Sequence, residues 1–502
     1  MKKKPTLSVL FATPECAPWA KTGGLGEVSA GLPPALYELG VDIRVLIPGY
    51  PSVLDQANGL HRIATLPPEF GFPEAAILRG RLPTGLPALV LDCPPLYARP
   101  AGGPYLDERG LDYADNALRF GLLSRVAARL ASMESPLGWF PDLLHCNDWT
   151  TGLAPAYLKS GLERPAPSLM VIHNLAFQGV FPLDIAPELG LPPAVVEAEG
   201  FAHWGRLSFL RAGLYCTDHI VTVSPTYAQE ILGERLGCGL DELLRTRRDR
   251  LSGILNGIDT AIWDPRADPF VDRHYDGDTL EEKRINKRAL QVELKLAEDD
   301  RMLLLGMVSR LTDQKGVDLV IDALPALFER PVQVVVLGTG EDKFERSLRD
   351  AEGRWPTRMA TVIGFDETLA HRIEAAADAF LMPSLFEPCG LNQMYSQRYG
   401  TPPIVRATGG LVDSVGDYSP EGLRDGGSTG FVFADPTATA LIETVDRALQ
   451  AWSDPHAWQQ LCLNGMARDF SWGASARAYI KLYEELCKRD EIEAVAPGEP
   501  QE

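Results

Sequence analysis

The sequence predicts an α/β protein built of two successive doubly wound domains, and three observations carry that prediction. Short continuous apolar runs of strand composition alternate with segments of helical periodicity, the mark of parallel sheets covered on both faces. The alternation breaks at a polar stretch, Asp264–Asp278, and then starts again. The chain has 502 residues, too many for one ordinary hydrophobic core.

Taken in order, Leu7–Ala12 reads as a buried strand, followed by a glycine-rich turn and a helix to about Leu39. Asp42–Ile47, Ala88–Cys93, Leu143–Cys146, Leu169–His173 and His219–Ser224 are further strands, with helical periodicity over Asp112–Ala131 and Thr150–Lys159. After the break, Met302–Val308, Val332–Leu337, Ala360–Ile363, Ala379–Met382, Pro403–Val405 and Gly430–Phe433 are strands, and Gly316–Phe328, Glu367–Ala376 and Leu391–Tyr399 are helices between them. The expected division is an N-terminal domain over 1–256, a C-terminal domain over 257–472, a helix over 473–490 that packs back on the first domain, and a disordered tail over 491–502.

Composition narrows the function. Hydrophobic residues at 45% and charged residues at 23% exclude a disordered, collagen-like or coiled-coil chain. With 48 basic and 68 acidic side chains, the net charge of −20 excludes a sequence-independent nucleic-acid binder and an anionic membrane surface as partner. An anionic small molecule remains possible where cations gather in one cleft. The eight cysteines are dispersed without CxxC spacing and no Cys/His cluster has zinc spacing, so reduced thiols and no metal site are expected. The apolar run behind Met1–Lys4 is too short for a signal peptide, and no stretch reaches the ~18 apolar residues of a membrane span. A cytoplasmic protein is the expectation.

In doubly wound sheets, ligands bind at the carboxyl ends of strands. Six motifs stand there. Lys21-Thr22-Gly23-Gly24-Leu25-Gly26 follows the first strand and opens a helix, where free N–H groups and a lysine suit an anion. Read alone, such a glycine turn is more often just a tight turn. His173-Asn174 ends the strand from Leu169, and His145-Cys146-Asn147-Asp148-Trp149 ends another. His173 can donate to a substrate hydroxyl or be a satisfied core residue; Asp148 beside Trp149 can hold a sugar or cap a helix. Ser309–Gly316 sets Arg310 and Lys315 between a strand and a helix, suited to a diphosphate or to solvent. Glu387-Pro388-Cys389-Gly390-Leu391 puts a carboxylate before a helix, to bind sugar hydroxyls or cap the helix dipole. Thr408-Gly409-Gly410 is a second possible phosphate cradle.

Seven ordered stretches together resemble the bacterial glycogen synthase and plant starch synthase family: Lys21–Gly26, Val171–Gly179, Val221–Tyr227, Asn256–Asp259, Val308–Gly316, Pro383–Leu391 and Arg406–Leu411. The resemblance covers Val9 to about Leu486. It implies a GT-B fold, two Rossmann-like domains facing a deep interdomain cleft, and a retaining glucosyltransferase without a cofactor. The donor would be ADP-glucose and the acceptor the non-reducing end of glycogen or another α-1,4-glucan, with nucleic acid and membrane excluded and the oligomeric state open. By position, Lys21 and Gly24 meet the donor phosphates. Arg310 and Lys315 hold the diphosphate as it leaves. Glu387 contacts the glucose hydroxyls, His173 faces the glucose 6-hydroxyl, and Cys389, Gly390 and Leu391 line the same pocket. Phe365 stands where some relatives stack a Tyr on adenine, and Tyr395 where many have a Glu on ribose. Asp148, Asn256, Thr408 and Gly409 complete the implied substrate-binding set. Two departures touch this pattern: His145–Thr150 lacks the second His common in relatives, and Arg211 replaces a usual Lys.

No DxD motif follows a strand, so the charge on the departing ADP falls to protein cations. One well-placed acid, Glu387, points to front-face attack rather than a paired-carboxylate double displacement. Rival readings are a transferase using UDP-glucose or another acceptor, and a catalytically silent glucan-binding protein.

Overall fold

The computed structural model describes residues 7–495 other than 83, 100–101, 192–195 and 197–199. The Lys2–Lys4 cluster and the tail beyond Val495 lie outside the described residues. The chain forms two compact units. The first runs from the N-terminus to Val223, takes up Ala228–Gly257, and includes the chain from Trp472 onward; the second is Ile258–Ser471 with the short segment Ser224–Tyr227.

The first unit is built on a nine-stranded sheet. Its strands lie side by side in the order Leu251–Gly253, His219–Thr222, Ser168–Ile172, Leu143–Asn147, Ser8–Ala12, Asp42–Pro48, Pro87–Asp92, Ala75–Arg81 and Asn58–Leu66. All are parallel as far as Pro87–Asp92; the last two pair antiparallel. A purely parallel sheet was the expectation, and the antiparallel edge corrects it. Asn58–Leu66 is largely solvent-facing, with isolated apolar residues rather than a continuous run, so it carries an edge-strand pattern that a search for buried runs passes over. A small three-stranded sheet, Val180–Phe181, Arg206–Ser208 and Ala202–His203, was likewise not expected.

The connectivity turns in opposite directions on either side of Ser8–Ala12. The loops leaving this strand, Leu143–Asn147 and Ser168–Ile172 therefore emerge together at a switch point. The strands themselves are sealed: Val9, Leu10, Phe11, Leu143, Leu144, Leu169, Met170 and Val171 have no exposure. The helix Trp472–Val495 returns to this unit. There the Trp472 indole fills the space above Gly31, where a Cβ would stand 2.0 Å from its Nε1, and Tyr483 Oη lies 2.7 Å from His145 Nδ1.

His145 is fully buried, and burial lowers its pKa to about 3; burial lowers His173 to about 3 as well. Both imidazoles are neutral in the fold and protonate in the unfolded chain below its ordinary pKa of 6.5. Between that value and about 3 the unfolded chain binds more protons, so stability is present above 6.5 and is lost as the pH falls. Each group contributes a slope of up to about 1.4 kcal/mol per pH unit. Urea unfolding of the wild type and of His145→Gln between these limits checks it; the variant should show the shallower dependence.

The second unit holds a six-stranded parallel sheet in the order Met359–Ile363, Val332–Gly338, Leu303–Val308, Ala379–Met382, Pro403–Arg406 and Phe431–Phe433. Successive residues of its strands enter cores on opposite faces: Leu303, Leu305 and Met307 on one, Leu304 on the other. The order reverses between Leu303–Val308 and Ala379–Met382, which makes the loops after these two strands neighbours.

Candidate active site

At the switch point of the second unit, the loops after Leu303–Val308 and Ala379–Met382 enclose a cavity of about 210 Å³. Arg310, Lys315, Ser384, Glu387, Gly390 and Leu391 are on its wall. Lys315 ends a single 3-10 turn, Asp313–Lys315, and the helix Val317–Leu327 follows. Between them Gly316 has φ of 66°, and a Cβ there would lie 2.2 Å from the Pro383 carbonyl oxygen. Only glycine lets the two loops touch at this point. Lys315 Nζ reaches Glu387 Oε2 at 2.5 Å, with the side chains 18% and 8% exposed, and Ser384 Oγ donates to the same oxygen at 3.0 Å. Arg310 is exposed, and among the described residues its guanidinium has no hydrogen-bond partner.

The Glu387 loop is held from several sides. The buried Arg406 donates through Nε to the Ser384 carbonyl at 2.7 Å and through Nη2 to that of Leu385. Leu385 N–H donates to the Gln314 carbonyl at 2.8 Å, and Asn392 Nδ2 to the Val308 carbonyl at 2.6 Å. The Thr408-Gly409-Gly410 turn belongs to this scaffold. Gly410 N–H donates to the Glu387 carbonyl at 3.1 Å, and Gly409 has φ of 45°. A Cβ on Gly409 would stand 2.0 Å from the Glu387 carbonyl oxygen. Gly409→Ala should therefore move Glu387 and lower kcat by roughly 10²-fold, as misplacement by about an ångström does. Steady-state kinetics beside a thermal melt check it, kcat falling far more than the melting temperature.

Several expected residues stand elsewhere. Thr408 and Gly409 do not line the cavity; they buttress its loop. Glu387 caps no helix, since the next one, Asn392–Arg398, begins five residues later. Cys389 is buried behind the wall with its carbonyl accepting from Gln393 Nε2 at 3.0 Å, while Gly390 and Leu391 do line the cavity. Tyr395 is buried face to face with Trp263, ring centroids 3.9 Å apart, and is not part of the cavity wall. Phe365 follows the edge strand Met359–Ile363 and is 84% exposed, free to stack on a planar group.

In the first unit, Lys21 and Gly24 stand at the start of the helix Gly24–Glu38. The expected free N–H groups of this turn are partly taken. Glu15 Oε2 accepts from Thr22 N–H at 2.6 Å and Gly23 N–H at 3.2 Å, and Tyr105 Oη donates to Glu15 Oε1 at 2.5 Å. An internal carboxylate thus occupies part of the anion cradle, and Lys21 pairs with Glu27. Gly23 and Gly24 still face open space, where a ligand can meet the backbone.

Asp148 holds φ of 53°, and its carboxylate caps nothing in its own turn. Instead Oδ1 accepts from His173 N–H at 2.8 Å, and burial raises its pKa to about 7. His173 Nε2 lies 2.9 Å from Asn147 Oδ1. Asp148 and Asn147 thus orient His173. Asn256 is half-buried in the connector after Leu251–Gly253. Sequence reading missed Asn147, Glu15, Ser384 and Arg406. All but Glu15 lie inside stretches already singled out, so their positions were visible and their roles were not.

Comparisons with known proteins bear on the family and the fold. Residues 8–246 match the model of the starch synthase catalytic domain, and 287–461 that of glycosyl transferases group 1. The glycogen synthase of Aromatoleum aromaticum is 66% identical over 96% of this chain and 97% of its own length. That of Nitrosospira multiformis is 53% identical over 95% and 97%. The solved catalytic domain of starch synthase IV from Arabidopsis thaliana, bound to ADP and acarbose, superposes with a TM-score of 0.84 at 32% identity, covering 97% of this chain and all of that one. A sucrose-phosphate synthase from Thermosynechococcus elongatus, TM-score 0.56 at 17% identity, shares the fold alone. With both units α/β and of the GT-B type, the chain belongs to the glycogen synthase and starch synthase family of glycosyltransferases.

Proposed function

We propose that this enzyme transfers glucose from ADP-glucose to the non-reducing end of an α-1,4-glucan, with retention at the anomeric carbon. The observation that carries the reading is the meeting of Arg310, Lys315 and Glu387 on one cavity, two cations for a diphosphate beside a single buried carboxylate for a sugar. The glycogen synthase relatives at 66% and 53% identity supply the reaction class.

Arg310 and Lys315 take up the negative charge that develops on the leaving phosphate. Glu387, fixed by Lys315 and Ser384, orients the glucose and stabilises positive charge at its anomeric carbon. Among the described residues it is the only carboxylate on the cavity wall, and a double displacement needs a nucleophile as well as an acid–base group. Front-face attack is the step that fits: the acceptor hydroxyl enters on the side the phosphate leaves, and the departing phosphate takes its proton. Lys21, Gly24, His173, Asp148 and Asn256 serve the same transfer from the first unit, and Phe365 the adenine. Cys389, Tyr395, Thr408 and Gly409 shape the donor side from behind.

A cytoplasmic location goes with this reading. No helix among the described residues is long and apolar enough to cross a membrane, and no disulfide joins any of the eight cysteines. Competition between ADP-glucose and UDP-glucose with glycogen as acceptor tests the donor. Incorporation should come preferentially from ADP-glucose; a preference for UDP-glucose overturns the assignment, and binding of glycogen without incorporation from either makes the protein a glucan binder.

A further inference from the structure

The strands Ser8–Ala12, Leu143–Asn147 and Ser168–Ile172 are adjacent and parallel, which places Asn147 between Ala12 and His173. Asn147 is fully buried. Its main chain is fixed: the N–H donates to Thr151 Oγ1 at 2.7 Å, and the carbonyl accepts from Thr150 Oγ1 at 3.2 Å and Thr151 Oγ1 at 2.9 Å. Its side chain has one arrangement that satisfies both ends. Nδ2 donates to the Ala12 carbonyl at 2.9 Å, and a carbonyl can only accept. Oδ1 therefore faces His173 Nε2 at 2.9 Å, and the proton between them sits on the imidazole. Turning the amide over would set Oδ1 against the Ala12 carbonyl and leave two acceptors in contact.

We propose that Asn147 is a positioning residue that locks His173 as the Nε2–H tautomer, so that Nδ1 meets the substrate as a hydrogen-bond acceptor. Among the described residues Nδ1 has no protein partner, and His173 is half-buried rather than sealed. Asp148 fixes the same residue through its backbone N–H. Burial, which lowers the His173 pKa to about 3, keeps the ring from becoming a donor at both nitrogens. This reverses the donor role read from the sequence: His173 takes a hydrogen bond from a sugar hydroxyl and gives none. It rests on the proposed function, in which the group before His173 is the glucose 6-hydroxyl.

The experiment has two arms on the full-length protein. The first labels the imidazole nitrogens and reads the tautomer of His173 by long-range proton–nitrogen correlation, assigned by the signal lost in His173→Gln. A protonated Nε2 beside a bare Nδ1 supports the proposal, and the Asn147→Ser variant should relax toward a mixture. A protonated Nδ1, or two protonated nitrogens, overturns it. The second compares ADP-glucose with its 6-deoxy and 6-deoxy-6-fluoro analogues. Fluorine cannot donate, so an acceptor at Nδ1 predicts that both analogues lose kcat/KM alike, by about tenfold or more, and that His173→Ala abolishes the discrimination. A fluoro analogue that keeps activity where the deoxy analogue loses it makes His173 a donor and overturns the proposal. If neither analogue is discriminated, the placement of the glucose before His173 fails, and the acceptor role with it, whatever tautomer the first arm finds.

Discussion

Arg310→Ala should lower kcat about a hundredfold, the effect of removing roughly 3 kcal/mol of transition-state stabilisation from a preorganised donor. The guanidinium is exposed and has no hydrogen-bond partner among the described residues, so none of them is left unsatisfied when it goes. The melting temperature should stay within a degree or two of the wild type, since surface substitutions of this kind change stability by less than about 0.5 kcal/mol. That separation marks a residue that acts on the substrate alone. A fall in both quantities would give Arg310 a structural part.

Lys315 and Glu387 should behave differently because each is the other's counterion. At 2.5 Å and largely out of water, the pair loses its balance when either charge is removed. Lys315→Met or Glu387→Gln alone leaves one buried charge uncompensated, which costs up to about 3–5 kcal/mol for a fully buried pair and less here, since Lys315 keeps some solvent. The double variant removes both charges and should be more stable than either single one, a non-additivity that denaturant unfolding can measure. Activity should be lost in all three, by a hundredfold or more in the variants that lack Lys315, by the same reasoning as for Arg310. Additive stabilities would mean that the two charges do not sense one another.

Much of this was legible in the sequence, and the reasons are physical. A strand buried on both faces, such as Leu303–Val308 or Ser168–Ile172, leaves a continuous apolar run, and ligands of doubly wound sheets bind at the carboxyl ends of such strands. Arg310, Lys315 and Glu387 were picked out for that reason, and the structure sets all three on one cavity wall. The antiparallel edge Ala75–Arg81 and Asn58–Leu66 was not, because one face of the outer strand meets water and its pattern is broken. Residue types alone also could not say which glycine turn binds and which supports. Thr408–Gly410 reads like a phosphate cradle, yet its glycines are there so that its backbone can lie against the Glu387 carbonyl at Gly409 and the Cys389 carbonyl at Gly410. Lys21–Gly26 reads the same way, and the carboxylate that enters it, Glu15, is six residues upstream in a stretch with no motif. The tautomer of His173 was least accessible of all, because it depends on Ala12, a residue with no polar side chain, holding the amide of Asn147.

The account as a whole turns on one transfer: glucose from ADP-glucose onto the non-reducing end of a glucan, in α-1,4 linkage. Glycogen incubated with the enzyme and ADP-glucose radiolabelled in the sugar, then digested with β-amylase, tests donor, position and anomeric outcome together. The account predicts label in the polymer that β-amylase releases as maltose. Label that resists release, or glycogen that takes up none from ADP-glucose, would contradict it.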